Sequence, residues 1–502
     1  MVVNISFASG ISNSDPNNEV VLVVGKKEHL EKLSGNIGLL SVKFGDVINA
    51  QHFAKGVKKL SYHPTDIVDL WFKNFMVASL PSIVSRHNAP MSPHALTLIA
   101  QNSLAKSTKE SVVIVCERIS AFALGLAVSR AFPLYTQKKN SGSESQLVIE
   151  YIFFGDNCDP LSGHEIQLLQ NVSDSIRLAA KIVDMPCNIM HTDAFIDEVN
   201  KVGKEIGILP TVIQGKELDE KGFGGLYGVG KAAIHQPALV ILSHTPAGAT
   251  KTIAWCGKGI VYDTGGLSIK DKNNMPGMKR DCGGAAGILG AFRTAVKMGF
   301  KENLHAVFCL AENAVGPLAT RPDDVHTLYS GLTVEINNTD AEGRLVLGDG
   351  VAYAKKDLKA EIIIDMATLT GAQGIATGKY HAAILSNNEE WENRCVKAGK
   401  MSGDLVFPVP YCPELHFEEF NSHVADMKNS VKSRSNAQVS CAGLFIGAHI
   451  GFDFSGVWVH IDMAAPVELQ NERGSGYGVA LLLTLFGKYS NNDLLQKISP
   501  DL

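Results

Sequence analysis

The sequence predicts an α/β protein of two domains: a smaller N-terminal α/β domain and a larger C-terminal domain with a large mixed sheet flanked by helices. Three observations carry this reading. Short apolar runs of strand length recur along the whole chain, helix-length stretches alternate with them, and 502 residues exceed a prior of about 150 per domain. Hydrophobic content of 45% and charged content of 19% are those of a globular chain, long enough to bury a core without disulfides.

Residues 1–160 read as the first domain. A buried strand over 20–24 is expected to stop at Gly25. Further strands are expected over 111–116 and 147–154, the last preceded by a polar loop at 136–145, and residues 119–132 are apolar, Ala-rich and helix-like. Leu169, Val172, Ile176, Ala180 and Val183 recur at helical spacing, so a helix is predicted over 163–184, ended before Pro186. Residues 161–184 are read as a linker helix, with the first helix of the next domain an equal alternative. From 185 to 502 the rhythm repeats. Apolar runs at 238–242, 252–256, 304–310, 359–365 and 457–461 read as strands. Between them lie helices at 284–298, with Ile288, Phe292, Ala295 and Val296 on one face and Gly299 as the stop, and at 343–356, with Leu347, Val351 and Ala354 aligned. In such sheets, sites form at the carboxyl ends of strands. The polar stretch 429–438 reads as a mobile loop.

Composition removes several function classes. A net charge of −5 with no basic block gives no nucleic-acid footprint. Nine cysteines, none in a C-x-x-C pair and most in apolar stretches, are expected to be buried hydrophobes in a reducing compartment, not a sulfur zinc site. No secretory leader is visible and no apolar stretch reaches about 18 residues, so a soluble cytoplasmic protein is expected.

Two stretches carry chemistry. In the first, Lys258 stands between Gly257 and Gly259 as an apolar run ends; Asp263, Gly265, Gly266, Lys270, Met278, Asp281, Gly283 and Gly284 follow. Glycines let backbone turn tightly and approach a ligand, so these charged residues sit where geometry is permissive. The second is Asn338, Thr339, Asp340, Ala341, Glu342, Gly343, Arg344, Leu345, just ahead of the 343–356 helix. Asp263, Asp281, Asp340 and Glu342 together are four carboxylates that repel one another unless cations neutralise them. Two divalent ions would do so, as in two-metal hydrolases. Each piece alone has a plainer reading: Thr339-x-x-Glu342 as a capping box, Lys258 as a solvated lysine, Asp263 to Gly266 as a turn.

Other motifs fail on inspection. Gly225 to Lys231 has phosphate-loop spacing, but Ala232 stands where Ser or Thr is required. His164-Glu165 is followed by Leu168 where a helical zinc-protease motif needs histidine. His305 and His326 are expected to be structural. No Gly-x-Ser-x-Gly elbow occurs.

Taken together, the two charged stretches resemble the leucyl aminopeptidase family of two-metal exopeptidases. The eight residues from Asn338 to Leu345 are similar to that family's signature in full, and the separations of Lys258, Asp263, Lys270, Asp281, Asp340 and Glu342 match. Thr368, Leu369 and Gly371, after an apolar run, are similar to its substrate-pocket segment. The likeness spans roughly residues 180 to 470. Asp365-Met366-Ala367-Thr368 and the divergent N-terminus look closest to the family's "probable aminopeptidase" branch.

The resemblance implies the following roles. Asp263 and Glu342 bridge two metals, Lys258 and Asp281 complete the tighter site, and Asp340 completes the more exchangeable one through its carboxylate and its own carbonyl. Lys270 stays charged and stabilises the oxyanion, while Arg344 holds a bicarbonate that serves as general base. Met278, Asn338, Thr368, Leu369 and Gly371 line the substrate groove. The implied cofactors are two divalent ions per subunit, zinc first, with manganese, magnesium or cobalt as alternatives. The implied protein is a cytoplasmic homo-hexamer acting on peptides and aminoacyl amides, with leucine-like residues preferred. Thr264 and Cys282 stand where Ser and Met are frequent, which leaves that preference open. A silent scaffold of the same fold and a metal-dependent phosphohydrolase are the competing readings.

Overall fold

The computed structural model describes residues 2–45, 47–61, 66–139 and 144–501; within the polar loop at 136–145, residues 140–143 lie outside the described residues. The N-terminal sheet holds β1 (Val3–Phe7), β2 (Val20–Lys26), β3 (Ile67–Trp71), β4 (Phe75–Leu80), β5 (Lys109–Glu117) and β6 (Ser145–Phe154), in the order β1-β6-β5-β2-β4-β3. All pairs are parallel except the β3/β4 hairpin. β2 and the middle of β5 are buried on both faces, which is why they read as unbroken Val and Ile runs rather than alternating ones. One expectation fails: β2 continues through Gly25 to Lys26. A Cβ at Gly25 would lie 2.5 Å from the Val115 carbonyl oxygen, so this glycine permits close strand approach rather than stopping the strand.

The second sheet is larger. Its strands are β7 (Thr211–Gln214), β8 (Ala238–His244), β9 (Thr252–Asp263) and β10 (Asn303–Asn313). After the short β11 (Val325–Thr327) and β12 (Thr333–Glu335) come β13 (Ile362–Ala367), β14 (Ala382–Ser386) and β15 (Val406–Pro408). The last are β16 (Met427–Lys428) and β17 (Val457–Asp462). The eight-stranded order is β15-β14-β17-β13-β9-β10-β8-β7, while β11, β12 and β16 form a separate small sheet. The four central strands β17, β13, β9 and β10 are mutually parallel, and antiparallel pairs flank them on both sides. The mixed sheet read from sequence is therefore present, and its central carboxyl ends are Asp462, Ala367, Asp263 and Asn313.

Helix Gly283–Lys297 covers one face of this sheet; helices Gly343–Lys356 and Gln438–Ala448 cover the other. Helix Gly163–Asp184 matches the predicted span. Its capping box pairs the Ser162 hydroxyl with the Glu165 N–H at 3.2 Å and the Glu165 carboxylate with the Ser162 N–H at 2.8 Å. The helix touches both halves of the chain: Ser173 bonds Ser129 at 2.8 Å, and Ser175 bonds Thr294 at 2.8 Å. Among the described residues the cysteines are free and most are buried.

The two sheets are joined by a buried ion pair. Arg130, on helix Ala121–Arg130, meets Asp404 at 2.7 Å and donates to the Ser475 carbonyl at 3.2 Å. Asp404 also accepts from the Gly478 and Leu481 amides at 3.1 and 3.2 Å. Removing one partner strands the other charge in a dry environment, which costs about 3–5 kcal/mol. Arg130→Ala should therefore lower the denaturant midpoint by a corresponding amount, and an unchanged midpoint would contradict a tie of this strength.

Candidate active site

The charged residues of the two sequence stretches meet at the carboxyl ends of the four parallel strands. Lys258 and Asp263 both lie on β9, five positions apart, which in a regular strand sends them to opposite faces. The β9/β10 register shifts between Ile260–Ala311 and Tyr262–Glu312, so β9 carries one extra residue, Val261. That bulge resets the alternation and lets both side chains reach one cluster. Asp281 comes from the 3-10 turn Met278–Cys282 that leads into helix Gly283–Lys297. Asp340 and Glu342 come from the loop before helix Gly343–Lys356, with Glu342 at the N-cap position. Gly343 is required by packing: a Cβ there would lie 2.6–2.8 Å from the Lys258 side chain.

Two ammonium groups sit among four carboxylates. Lys258 Nζ lies 2.8 Å from Asp281 and 2.9 Å from Glu342, and donates to the Thr368 carbonyl at 3.0 Å. Lys270 Nζ lies 2.8 Å from Asp263 and 2.5 Å from Asp340. Each lysine thus bridges one pair of acids. Burial alone would depress the Lys258 ammonium, but Asp281, Glu342 and Asp263 outweigh it and hold it above the ordinary lysine range. Lys270 is likewise raised against burial, chiefly by Asp263 and Glu342. The acids feel the reverse. Burial, and after it the charge of Asp263, raises Asp340 and Glu342; burial raises Asp281 against the pull of Lys258.

Residues that the sequence reading passed over hold this cluster. Asn313, at the end of β10, donates to Asp263 at 2.8 Å and to the Thr339 carbonyl at 3.0 Å. Asn429 is buried and pins the signature loop. It donates to the carbonyls of Asn338 and Ala341 at 2.6 and 3.2 Å and accepts from the amides of Asn337 and Asn338 at 2.9 and 3.2 Å. The stretch 429–438, expected to be mobile, therefore begins with an anchor. Asp462, at the end of β17, accepts from the Leu369 amide at 3.1 Å and the Thr370 hydroxyl at 2.6 Å, fixing the segment after β13. A polar residue closing an otherwise apolar strand is the signal that could have found Asn313 and Asp462.

The capping-box reading of Thr339-x-x-Glu342 does not hold. The Thr339 hydroxyl donates to the Gly265 carbonyl at 2.7 Å and accepts from the Ser268 amide at 2.7 Å, which ties the two charged stretches together. Asn338 accepts from the Asp340 amide at 2.9 Å, and Thr368 donates to Asp281 at 2.8 Å. Met278 is half-buried at the start of the 3-10 turn, Leu369 is half-buried, and Gly371 is exposed at the start of helix Gly371–Ala376. Arg344 is buried, donates to the Asn429 carbonyl at 3.0 Å, and has an Nε with no partner; burial pulls it down to about 10. Of the rejected motifs, residues Gly224–Gly230 form a short helix, His305 bonds Ser243, and His326 bonds Thr320.

The donor set fits divalent cations. Asp263, Asp340 and Glu342 offer oxygens within 4.8 Å of one another, and Lys258 and Asp281 adjoin them. Hard oxygen donors with one amine nitrogen suit zinc, manganese, magnesium or cobalt. The unpartnered Nε of Arg344 fits a small anion beside them.

Comparison with known proteins gives a consistent answer. The model of the cytosol aminopeptidase family catalytic domain matches residues 177–483, and that of the M17 aminopeptidase N-terminal domain 2 matches residues 19–141. The chain is 57% identical over 501 residues to the human protein called probable aminopeptidase NPEPL1, covering 99% of this chain and 95% of that protein. It is 44% identical over 485 residues to leucine aminopeptidase 1 of Caenorhabditis elegans, covering 95% and 96%. The solved structure of the C. elegans leucine aminopeptidase superposes with a TM-score of 0.92 at 42% identity, over 98% of this chain and 99% of that one. The Trypanosoma brucei leucyl aminopeptidase in complex with bestatin does so at 0.86 and 35%, over 97% and 96%.

Asn429 makes the sharpest test of this geometry. Asn429→Ala should weaken divalent metal affinity about 10–100-fold, as expected when a ligand loop loses its supporting hydrogen bonds. Unchanged affinity in a titration of the folded variant would show that the loop holds its shape without it.

Proposed function

Because the chain belongs to the cytosol aminopeptidase family and is a metal-dependent aminopeptidase, we propose that its catalytic centre is the cluster of Lys258, Asp263, Lys270, Asp281, Asp340 and Glu342. The observation that carries this reading is that each of two lysines bridges two of the four converging carboxylates. Two ammonium groups only partly neutralise this cluster, and it has the donors to accept two metals.

In this reading Asp263 and Glu342 would be shared by the two ions, Lys258 and Asp281 would complete one site, and Asp340 would complete the other. Zinc is the first choice of ion, with manganese, magnesium or cobalt fitting the same donors. When bound, the pair supplies Lewis acidity for the peptide carbonyl and for the attacking water, and a docking point for the free amine. Everything else falls to the chain. Lys258 can act as a ligand only after losing a proton, since an ammonium has no lone pair. The surrounding carboxylates hold that proton in place, so metal loading is coupled to its release. Lys270 keeps its charge and, at 14% side-chain exposure, is the more open of the two lysines. It presents a fixed positive charge where the carbonyl oxygen becomes negative, and one such donor is worth about 3–4 kcal/mol. Arg344, buried with an unpartnered Nε, would hold a bicarbonate, which would supply the general base. Met278, Asn338, Thr368, Leu369 and Gly371 line the groove for the N-terminal residue, which we expect to be leucine-like. We further assign the protein to the cytoplasm as a homo-hexamer, on the family resemblance. No described helix is long and apolar enough to cross a membrane.

Two variants separate the roles. Glu342→Ala should abolish hydrolysis of leucyl amides and lower metal content while the circular dichroism spectrum is retained; full activity would refute the bridging role. Lys270→Ala should reduce kcat about 10²–10³-fold with metal content unchanged, and loss of metal would mean that Lys270 belongs to the ligand set. A screen of aminoacyl amides, with phosphate monoesters as the control, identifies the preferred N-terminal residue.

A further inference from the structure

A second cluster of ligand-type side chains forms where helix Thr192–Ile206 begins beside the loop 231–237. His191 and His235 stack with ring centroids 3.5 Å apart and planes 7° from parallel. His235 Nδ1 lies 2.6 Å from Asp193. We propose that His191, Asp193 and His235 form a second metal site, separate from the catalytic pair, for one borderline transition ion such as zinc, nickel or cobalt.

The geometry supports it at three levels. One potential ligand atom from each residue lies within 4.8 Å of the others, and the imidazoles would turn out of their stack to aim their in-plane nitrogens at one ion. Side-chain exposures of 36% for His235 and 49% for Asp193 leave an entry path and room for water ligands. The site is also braced. Gln214 donates to Asp193 at 2.8 Å and to the Gln236 carbonyl at 3.4 Å, so one amide ties the helix start to the histidine-bearing loop. His191 itself caps the Ala194 amide through a long 3.3 Å bond, which yields readily to a metal bond.

The neighbours define the chemistry. Glu312, half-buried, turns its charge toward both imidazoles. The Cys187 thiol bonds to Glu312 and is not among the ligand atoms that converge here, so the donors are imidazole and carboxylate. The catalytic cluster, by contrast, contains no histidine. Imidazole favours zinc, nickel and cobalt, whereas magnesium and manganese stay with carboxylates. Nickel therefore discriminates this site from the catalytic one, whereas zinc fits both.

Metal counting on the whole enzyme tests this. With zinc or nickel in modest excess, the wild type should hold one more ion per chain than the double variant His191→Asn/His235→Gln, in which Asn keeps a cap for Ala194. The double variant should retain full manganese-supported activity. Glu342→Ala should lose catalytic metal yet keep the extra ion, so failure of the catalytic assignment is distinguishable from failure of this one. In the single variant His235→Gln, nickel affinity should fall at least tenfold. Equal ion counts in wild type and double variant, or a nickel affinity that His235→Gln leaves unchanged, would overturn the proposal.

Discussion

The site proposed as catalytic is governed by the repulsion among four close carboxylates, three of them buried and Asp340 half-buried. Two like charges 4 Å apart repel by about 4 kcal/mol even at an effective dielectric of 20, and Asp263, Asp281, Asp340 and Glu342 cannot all ionise together unless cations intervene. Lys258 and Lys270 supply those cations, each between two acids at 2.5–2.9 Å. Three of the acids are nevertheless raised, so the compensation is incomplete. A cluster left short of positive charge is a strong trap for divalent ions. On the proposed assignment, divalent ions would supply the charge that the lysines leave unmet.

The fold serves that constraint by bringing residues far apart in sequence to one edge. Four parallel strands end side by side at Asp263, Asn313, Ala367 (just before Thr368) and Asp462, and the two flanking helices begin at Gly283 and Gly343, just after Asp281 and Glu342. The bulge at Val261 is the least conspicuous element and among the most consequential, because without it Lys258 and Asp263 would face apart. Asparagines then lock the backbone: Asn313 couples the β9 acid to the signature loop, and Asn429 bonds two amides and two carbonyls of that loop. Neutral amides suit this task because they add hydrogen bonds without adding charge to an already overcharged site.

Much of this is legible in the sequence. Charged residues among glycines are conspicuous, so the six acids and lysines stood out by spacing. Helices 163–184 and 343–356 were visible from periodicity and end signals. What sequence could not show was long-range. Asn429 acts on a loop about ninety positions away and carries no local pattern that distinguishes it from surface polar residues, while Asp462 closes an apolar strand but nothing local ties it to the Leu369 amide. Local rules also misled where tertiary contacts overrode them. Thr339 looked like a helix cap but bonds across to Gly265, and Gly25 looked like a strand stop but is a close-packed strand residue. His191 and His235 are separated by 44 positions, and only folding stacks their rings.

The most direct measurement is an anomalous-difference map from crystals soaked in the activating metal. The account predicts two peaks among Lys258, Asp263, Asp281, Asp340 and Glu342, about 3.5–4 Å apart, with Lys270 swung clear of both ions. A single peak, or density for the lysine ammoniums persisting between the acids while the enzyme turns over, would contradict it.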